Sequence, residues 1–365
     1  MNNIIENTYI KSKFISLDTK ERLIKYLDSN NVIAMSEAES KSIPDSVLCV
    51  GDTYSEKVDS IIDKIESNRN LAYFLEKFDS ELPNKYFSIF KIRDFFKNKD
   101  LILNSIFNSP HSMDINDIKD FSTTINKYNP PFIILDNLEN ELILKLNYIV
   151  EDREQRNPLK FPILLILYKD LGILEIRFCN LLNDYKKDDY IYKNFLDTVK
   201  ERVFNCFKIF LDNIDFRKIV DNIKRSEREK TSSYSEHLEG EYNSSAKLRA
   251  FDDGEDKHLI PILGQLKKLM YTDPRLYNYP DALDSLNEFI DGIDSKNDII
   301  QSSIAWLDSG NNIEFVISFT HEYKGADYTV MKTIKFKHNK YKNMEERKNV
   351  TRNIIRYSDL SESIE

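Results

Sequence analysis

Glycine is scarce in this chain, eight in 365 residues where average usage would give roughly 25. The eight fall at Gly51, Gly172, Gly240, Gly254, Gly264, Gly292, Gly310 and Gly325, never clustered. A dinucleotide-binding turn needs three glycines within about six residues, so that backbone can approach a pyrophosphate. The phosphate loop of nucleotide hydrolases needs two glycines about five positions apart, the second followed by Lys. Neither pattern occurs, which excludes enzymes that hold ATP, GTP or NAD on glycine loops.

Cysteine is nearly absent too. Cys49, Cys179 and Cys206 are odd in number and widely spaced. They fit buried thiols in a reducing compartment, not a disulfide framework, and they lack the paired spacing of a zinc site. No apolar run approaches the ~18 residues of a membrane span. Residues 1–9 carry Glu6 and no basic cluster ahead of an apolar stretch, so they do not read as a signal peptide. The expectation is a cytoplasmic chain with no membrane contact, no cofactor and no metal.

What is present suits one large domain or a few modest ones. Hydrophobic residues make up 41% and aromatics 12%, enough for cores rich in Phe and Tyr. The abundance of Lys, Asn and Ile points to an AT-rich coding genome, and so to a low-GC bacterium or its mobile elements.

The first hundred residues read mainly as helix: an apolar stripe of Leu17, Leu23, Ile24 and Leu27 behind a Ser16 N-cap, then Ser55–Ile65, Leu71–Phe78 and Tyr86–Phe96, with Pro110 as the break. Val32–Met35 and Ser46–Val50 are candidate short strands. Phe132–Leu135, Leu142–Val150, Ile163–Tyr168 and Ile173–Phe178 are β-rich, the last two forming a hairpin around Gly172. A long helix over Tyr190–Leu211 presents Phe195, Leu196, Val199, Val203, Phe207 and Phe210 to the sheet. Lys224–Asp256 is polar and serine-rich and reads as a linker or mobile loop. Helices are expected over Leu259–Tyr271 and Ala282–Ile290. Ser302–Leu307, Ile313–Tyr323 and Tyr328–Phe336 form an antiparallel meander, and a helix over Met344–Arg356 closes the unit. The fold class is therefore α+β. The divisions expected are a helical region 1–110, a central sheet domain 111–223 backed by a long helix, a linker 224–257 and a C-terminal α+β domain 258–365.

Charge is segregated. Lys332 to Arg356 holds nine basic residues against Glu345 and Glu346, a local +7 in a chain of −9. Clustered Lys and Arg reward counterion release from phosphates. Lys335, Lys337, Lys340, Lys342, Arg347, Lys348, Arg352 and Arg356 are thus candidates for binding nucleic acid or an acidic partner. The alternative is a basic helix docked on the chain's own acidic surface. A second basic run, Arg217 to Lys230, is diluted by acids and reads as an exposed helix.

Asp252, Asp253, Glu255 and Asp256 around Gly254 are the weak metal candidates, although their spacing is not that of a calcium loop. Glu175–Ile176–Arg177, with Asp170 or Asp152 upstream, is the nearest approach to the acid and acid–x–Lys set of a metal nuclease. Alternation puts Glu175 and Arg177 on the strand face opposite Leu174, Ile176 and Phe178, where solvent exposure explains them. The Val47–Asp52 turn before a helix could bind an anion, but Asp52, Glu56 and Asp59 give it the wrong field. His338–Asn339–Lys340 lacks the rest of a phospholipase-D-type motif, and no zinc-protease or serine-elbow pattern occurs.

The leading expectation is a non-enzymatic interaction subunit, with another protein subunit as partner, in a multi-protein bacterial system; defence against phage or mobile DNA would suit it. The alternatives are a nucleic-acid-binding protein using the basic C-terminal face and a divergent metal-dependent nuclease.

Overall fold

The computed structural model describes residues 17–43, 45–62, 64, 68–82, 84–118, 129–151, 158–181, 183–186, 190–227, 231–240, 245–248, 269–270, 272, 279–307, 313–336 and 344–358. The chain divides into two compact units, Met1–Ile214 and Asp215–Glu365.

The described part of the first unit begins with α1 (Leu17–Ser29), β1 (Ile33–Ala34), α2 (Glu37–Ser42), β2 (Val47–Leu48) and α3 (Tyr54–Ile62). The strands β1 and β2 pair in parallel, as a strand–helix–strand connection allows. Leu23, Ile24 and Leu27 of α1 are buried, following the helical spacing of the sequence. Helix α4 (Arg69–Glu81) starts on Asn68, whose side-chain oxygen accepts from the Leu71 N–H at 2.9 Å.

The main sheet of this unit follows. Its members are β3 (Tyr86–Ile92), then, after α5 (Phe95–Phe107), β4 (Ser112–Asp114), β5 (Phe132–Asn137), β6 (Glu141–Glu151), β7 (Pro158–Tyr168) and β8 (Ile173–Phe178). Helix α6 (Ile191–Phe207) and β9 (Leu211–Asn213) complete it. The spatial order is β3-β8-β7-β6-β5-β4, antiparallel except for β4 with β5, and β9 pairs with β3. Pro162 lies inside β7, in the part paired only with β6; β8 joins from Ile163 onward, so no ladder bond is lost on that side. Helix α6 covers one sheet face through ring contacts of Phe195 with Phe161, Tyr192 with Phe178 and Phe207 with Phe132.

The second unit contains α7 (Phe216–Ser226), β10 (Thr231–Gly240), β11 (Ser245–Leu248), α8 (Pro280–Lys296), β12 (Asn297–Leu307), β13 (Ile313–Thr320), β14 (Val330–Phe336) and α9 (Met344–Ile355). Its strands run in the order β11-β10-β12-β13-β14, all antiparallel. The α+β class, the central antiparallel sheet with its long helix, and the C-terminal meander are as the sequence implies.

Four readings change. The long helix ends at Phe207, so Leu211 joins β9 and Phe210 is exposed instead of packed on the sheet. Tyr86–Ile92 is a strand, not a helix: a seven-residue apolar run satisfies either period, and pairing along β8 decides it. Within the polar stretch after Lys224, Thr231–Gly240 and Ser245–Leu248 are strands, not linker. Backbone pairing of β10 with β12 builds a strand where no apolar alternation announced one. Finally, β3 shares its sheet with β5–β8, so the stretch 1–110 does not separate from 111–223, and the units divide at Ile214 instead of near 223 or 257. The helix expected over 259–271 lies mostly outside the described residues.

Candidate functional site

The face of the first unit's sheet opposite α6 carries a set of buried charged side chains. In register, Lys145 of β6 stands beside Leu164 of β7, which stands beside Arg177 of β8; Ile166 and Glu175 form the next row. Lys160 and Tyr168 share this face by strand alternation. Helix α4 lays Glu76 and Asp79 onto it. Lys160 Nζ is 2.7 Å from Glu76 Oε1 and 2.9 Å from Asp79 Oδ2. Lys145 Nζ is 2.9 Å from Asp79 Oδ2, ion-pairs with Glu76, and also donates to the Glu76 carbonyl oxygen. Asn147 donates to Glu76 Oε2 at 2.9 Å. The four charged side chains are 0% exposed.

Two acids against two lysines leave this quartet neutral, which is the condition for burying charge at tolerable cost. Burial alone would raise the Glu76 carboxyl; Lys145 and Lys160 outweigh it and bring it down to about 2. The lysines diverge. Burial dominates at Lys145 and lowers it, whereas attraction to Asp79 and Glu76 overcomes burial at Lys160 and raises it.

Glu175 and Arg177 belong to a second closed group. Arg177 Nε and Nη2 donate to Glu175 at 2.5 and 3.0 Å, and the Tyr168 hydroxyl donates to Glu175 Oε2 at 2.8 Å. The Arg177 guanidinium lies over the Phe87 ring at 5.6 Å. Alternation assigns these residues to the correct face, but the expectation of solvent exposure fails: Glu175 is 0% and Arg177 2% exposed. A nuclease carboxylate must reach metal and substrate; both oxygens of Glu175 are instead taken by its neighbours. Asp170 sits in the turn and Asp152 lies outside the described residues.

The basic C-terminal set is also rearranged. Lys337, Lys340 and Lys342 lie outside the described residues, while Lys335 is in β14 opposite Val316. Arg347 and Lys348, two of the candidates for a binding face, are 6% and 2% exposed, and Lys348 is ion-paired with Glu345. Arg352 is half-buried. Arg356 is exposed but reaches Glu227 at 3.1 Å, and Asn222 of α7 donates to the Tyr357 carbonyl at 3.1 Å. Helix α9 thus packs on its own unit and presents no continuous basic face among the described residues.

Asp252, Asp253 and Glu255 lie outside the described residues, within which no group of His, Cys, Asp and Glu is arranged to hold a metal ion. The Val47–Asp52 turn is occupied by the chain itself. Glu56 accepts from the Asp52 and Thr53 N–H groups at 2.9 and 3.0 Å, and Thr53 Oγ1 accepts from the Glu56 N–H. This capping box fills the position an anion would take. The three cysteines are free thiols, and burial pushes that of Cys49 up, away from reactivity.

His321 of the second unit is buried. Its ring nitrogens lie 3.1 Å from Ser302 Oγ and 3.3 Å from Thr329 Oγ1. The pairing resembles a serine–histidine couple, but Ser302 is 1% and His321 4% exposed, so no substrate reaches the hydroxyl. Burial, then the nearby Arg217, lowers the imidazole from 6.5 to about 4.

Several large apolar side chains stand in solvent. Helix α5 holds Phe96 at 53%, Leu101 at 70% and Phe107 at 37% exposure, and Phe204 and Phe210 are 37% and 50% exposed. Sequence reasoning missed this surface because it assigns Phe and Leu to cores. It missed the quartet although Lys145 and Asn147 interrupt an apolar run at strand spacing and Glu76 and Asp79 stand one helical turn apart. No helix among the described residues is long and apolar enough to cross a membrane. No protein-family model matches the chain, and no curated protein matches it.

Proposed function

We propose that this chain works by contact, as a non-enzymatic subunit that engages another protein. One observation carries the reading: among the described residues, the clustered charged groups that could support chemistry are buried against one another, while large apolar side chains of α5 stand in solvent. A general acid or nucleophile must touch substrate, and Glu76, Asp79, Lys145, Lys160 and Glu175 are all sealed. Exposed apolar residues gathered on one element instead mark a binding surface. The bacterial setting, and a role against phage or mobile DNA, draw on the Lys-, Asn- and Ile-rich composition alone. Binding of nucleic acid through the C-terminus would now rest on Lys335, Arg352, Arg356 and the undescribed lysines.

The test is co-expression with the products of the flanking genes, followed by size-exclusion chromatography with light scattering. A stable hetero-complex that Leu101→Asp dissolves supports the reading. An isolated chain that cleaves nucleic acid with magnesium or manganese, and binds none of those products, contradicts it.

A further inference from the structure

We infer that the surface where α6 ends beside the start of α5 receives an acidic protein segment carrying an apolar anchor. This deepens the contact reading above and rests on it. The surface has two components. The first is aromatic: the half-exposed Phe204 and Phe210 rings meet at 4.8 Å. The second is cationic: Arg93 stacks on Phe210 at 5.1 Å, and Lys208 Nζ lies over Phe204 at 5.3 Å. Backbone ties the two elements together, the Arg93 N–H donating to the Phe210 carbonyl at 3.1 Å.

The charge balance calls for an anion. Segments 91–101 and 200–213 carry seven basic residues and four acidic ones, a net +3 in a chain of −9. Arg93 forks onto Asp212 at 2.6 and 3.1 Å, and Lys91 and Lys200 also act on that carboxyl, holding it below its usual range.

Lys208 supplies an independent argument. It ends α6 in the left-handed conformation, φ 58°, with its N–H bonded to the Phe204 carbonyl at 2.8 Å. Glycine is the relaxed residue at such a cap, and a side chain there is strained. The chain carries instead a lysine whose ammonium lies over an exposed ring. A residue that is unfavourable for the fold and suited to the surface is what a binding role would leave.

A protein segment fits better than single-stranded nucleic acid. Stacking platforms need open ring faces, and here one face of each ring is under a cation of the chain itself. Asp94 and Asp212, lying within the patch, would also oppose a phosphate track. Acidic side chains flanking one Phe or Leu can instead meet Lys208 and Arg93 while the anchor packs on the ring edges.

The experiment is panning a phage-displayed random peptide library against the full chain. The enriched peptide then serves as a fluorescent probe for wild type, Phe210→Ser and Lys208→Gly. The inference predicts peptides with Asp or Glu around an apolar anchor, and affinity falling about tenfold in Phe210→Ser. Lys208→Gly should weaken binding severalfold while melting no lower than wild type, since glycine relieves the cap. Peptides without acids, or equal affinity for all three proteins, overturn it. So does a dT20 oligonucleotide that binds the wild type and is lost in the same variants. A flanking-gene complex unaffected by either variant leaves the contact reading standing and removes only this surface.

Discussion

Lys160 and Glu76 meet at 2.7 Å between β7 and α4, with neither side chain exposed to solvent. They join two elements far apart in sequence, so the pair records correct packing of helix on sheet. Removing one partner leaves a charge buried without its counterion, which costs about 3–5 kcal/mol. Glu76→Ala or Lys160→Met should therefore unfold the first unit at markedly lower urea concentration. Replacing all four members, Glu76, Asp79, Lys145 and Lys160, with apolar residues of similar size should cost less than either single change. Urea titration followed by far-ultraviolet circular dichroism gives both values.

Acid should weaken both units, in different windows. His321 is lowered from 6.5 to about 4, so below pH 6.5 the unfolded chain takes a proton that the folded one refuses. Stability is complete above that value and falls as pH drops toward 4, by about 3 kcal/mol for this group. Trp306, the single Trp of the chain, lies in β12 and stacks on Phe315 at 4.7 Å, so its fluorescence reports the second unit. His321→Gln should flatten the pH 4 to 6.5 dependence of that signal. Glu76 is lowered as well, from 4.5 to about 2, and its contribution to the first unit is lost only as pH falls below about 4.5.

Gly51 has φ 139° and lies so close to α3 that an added Cβ would stand 2.5 Å from the Glu56 Cβ. Gly51→Ala should displace Glu56 from the Asp52 and Thr53 N–H groups and destabilise by roughly 2–3 kcal/mol. Gly325→Ala, with nothing within 4 Å of its added Cβ, should cost about 1 kcal/mol from φ alone. Thermal melts of the two variants make the comparison.

The two arginines of α9 should separate. Arg347→Glu places an acid at a buried position and should cost about 3 kcal/mol or more. Arg352→Glu, at a half-buried position, should cost within about 1 kcal/mol. Trp306 fluorescence against urea distinguishes them; equal small effects would return α9 to the exposed basic face read from its sequence.

The long β-rich runs, the hairpin at Gly172 and the α6 stripe were legible because period and turn chemistry agree there. At Tyr86–Ile92 they do not: seven apolar residues fit either period, and the partner strand that decides lies far along the chain. Strand β10 was invisible for a related reason, since backbone pairing leaves no trace in polarity. Glu175 and Arg177 show the limit for sites. Alternation gave their face correctly, but whether that face meets water depends on which helix covers it. The same holds for Phe96, Leu101 and Phe210, whose type says core and whose position says surface.

The central claim is contact through the exposed surface of α5 and the end of α6. Hydrogen–deuterium exchange of the chain alone and mixed with each flanking-gene product tests it most directly. The account predicts that one mixture slows exchange across residues 93–107 and 204–213, with less change elsewhere. Exchange there that is identical in every mixture, together with protection centred on α9 or β14, would contradict it.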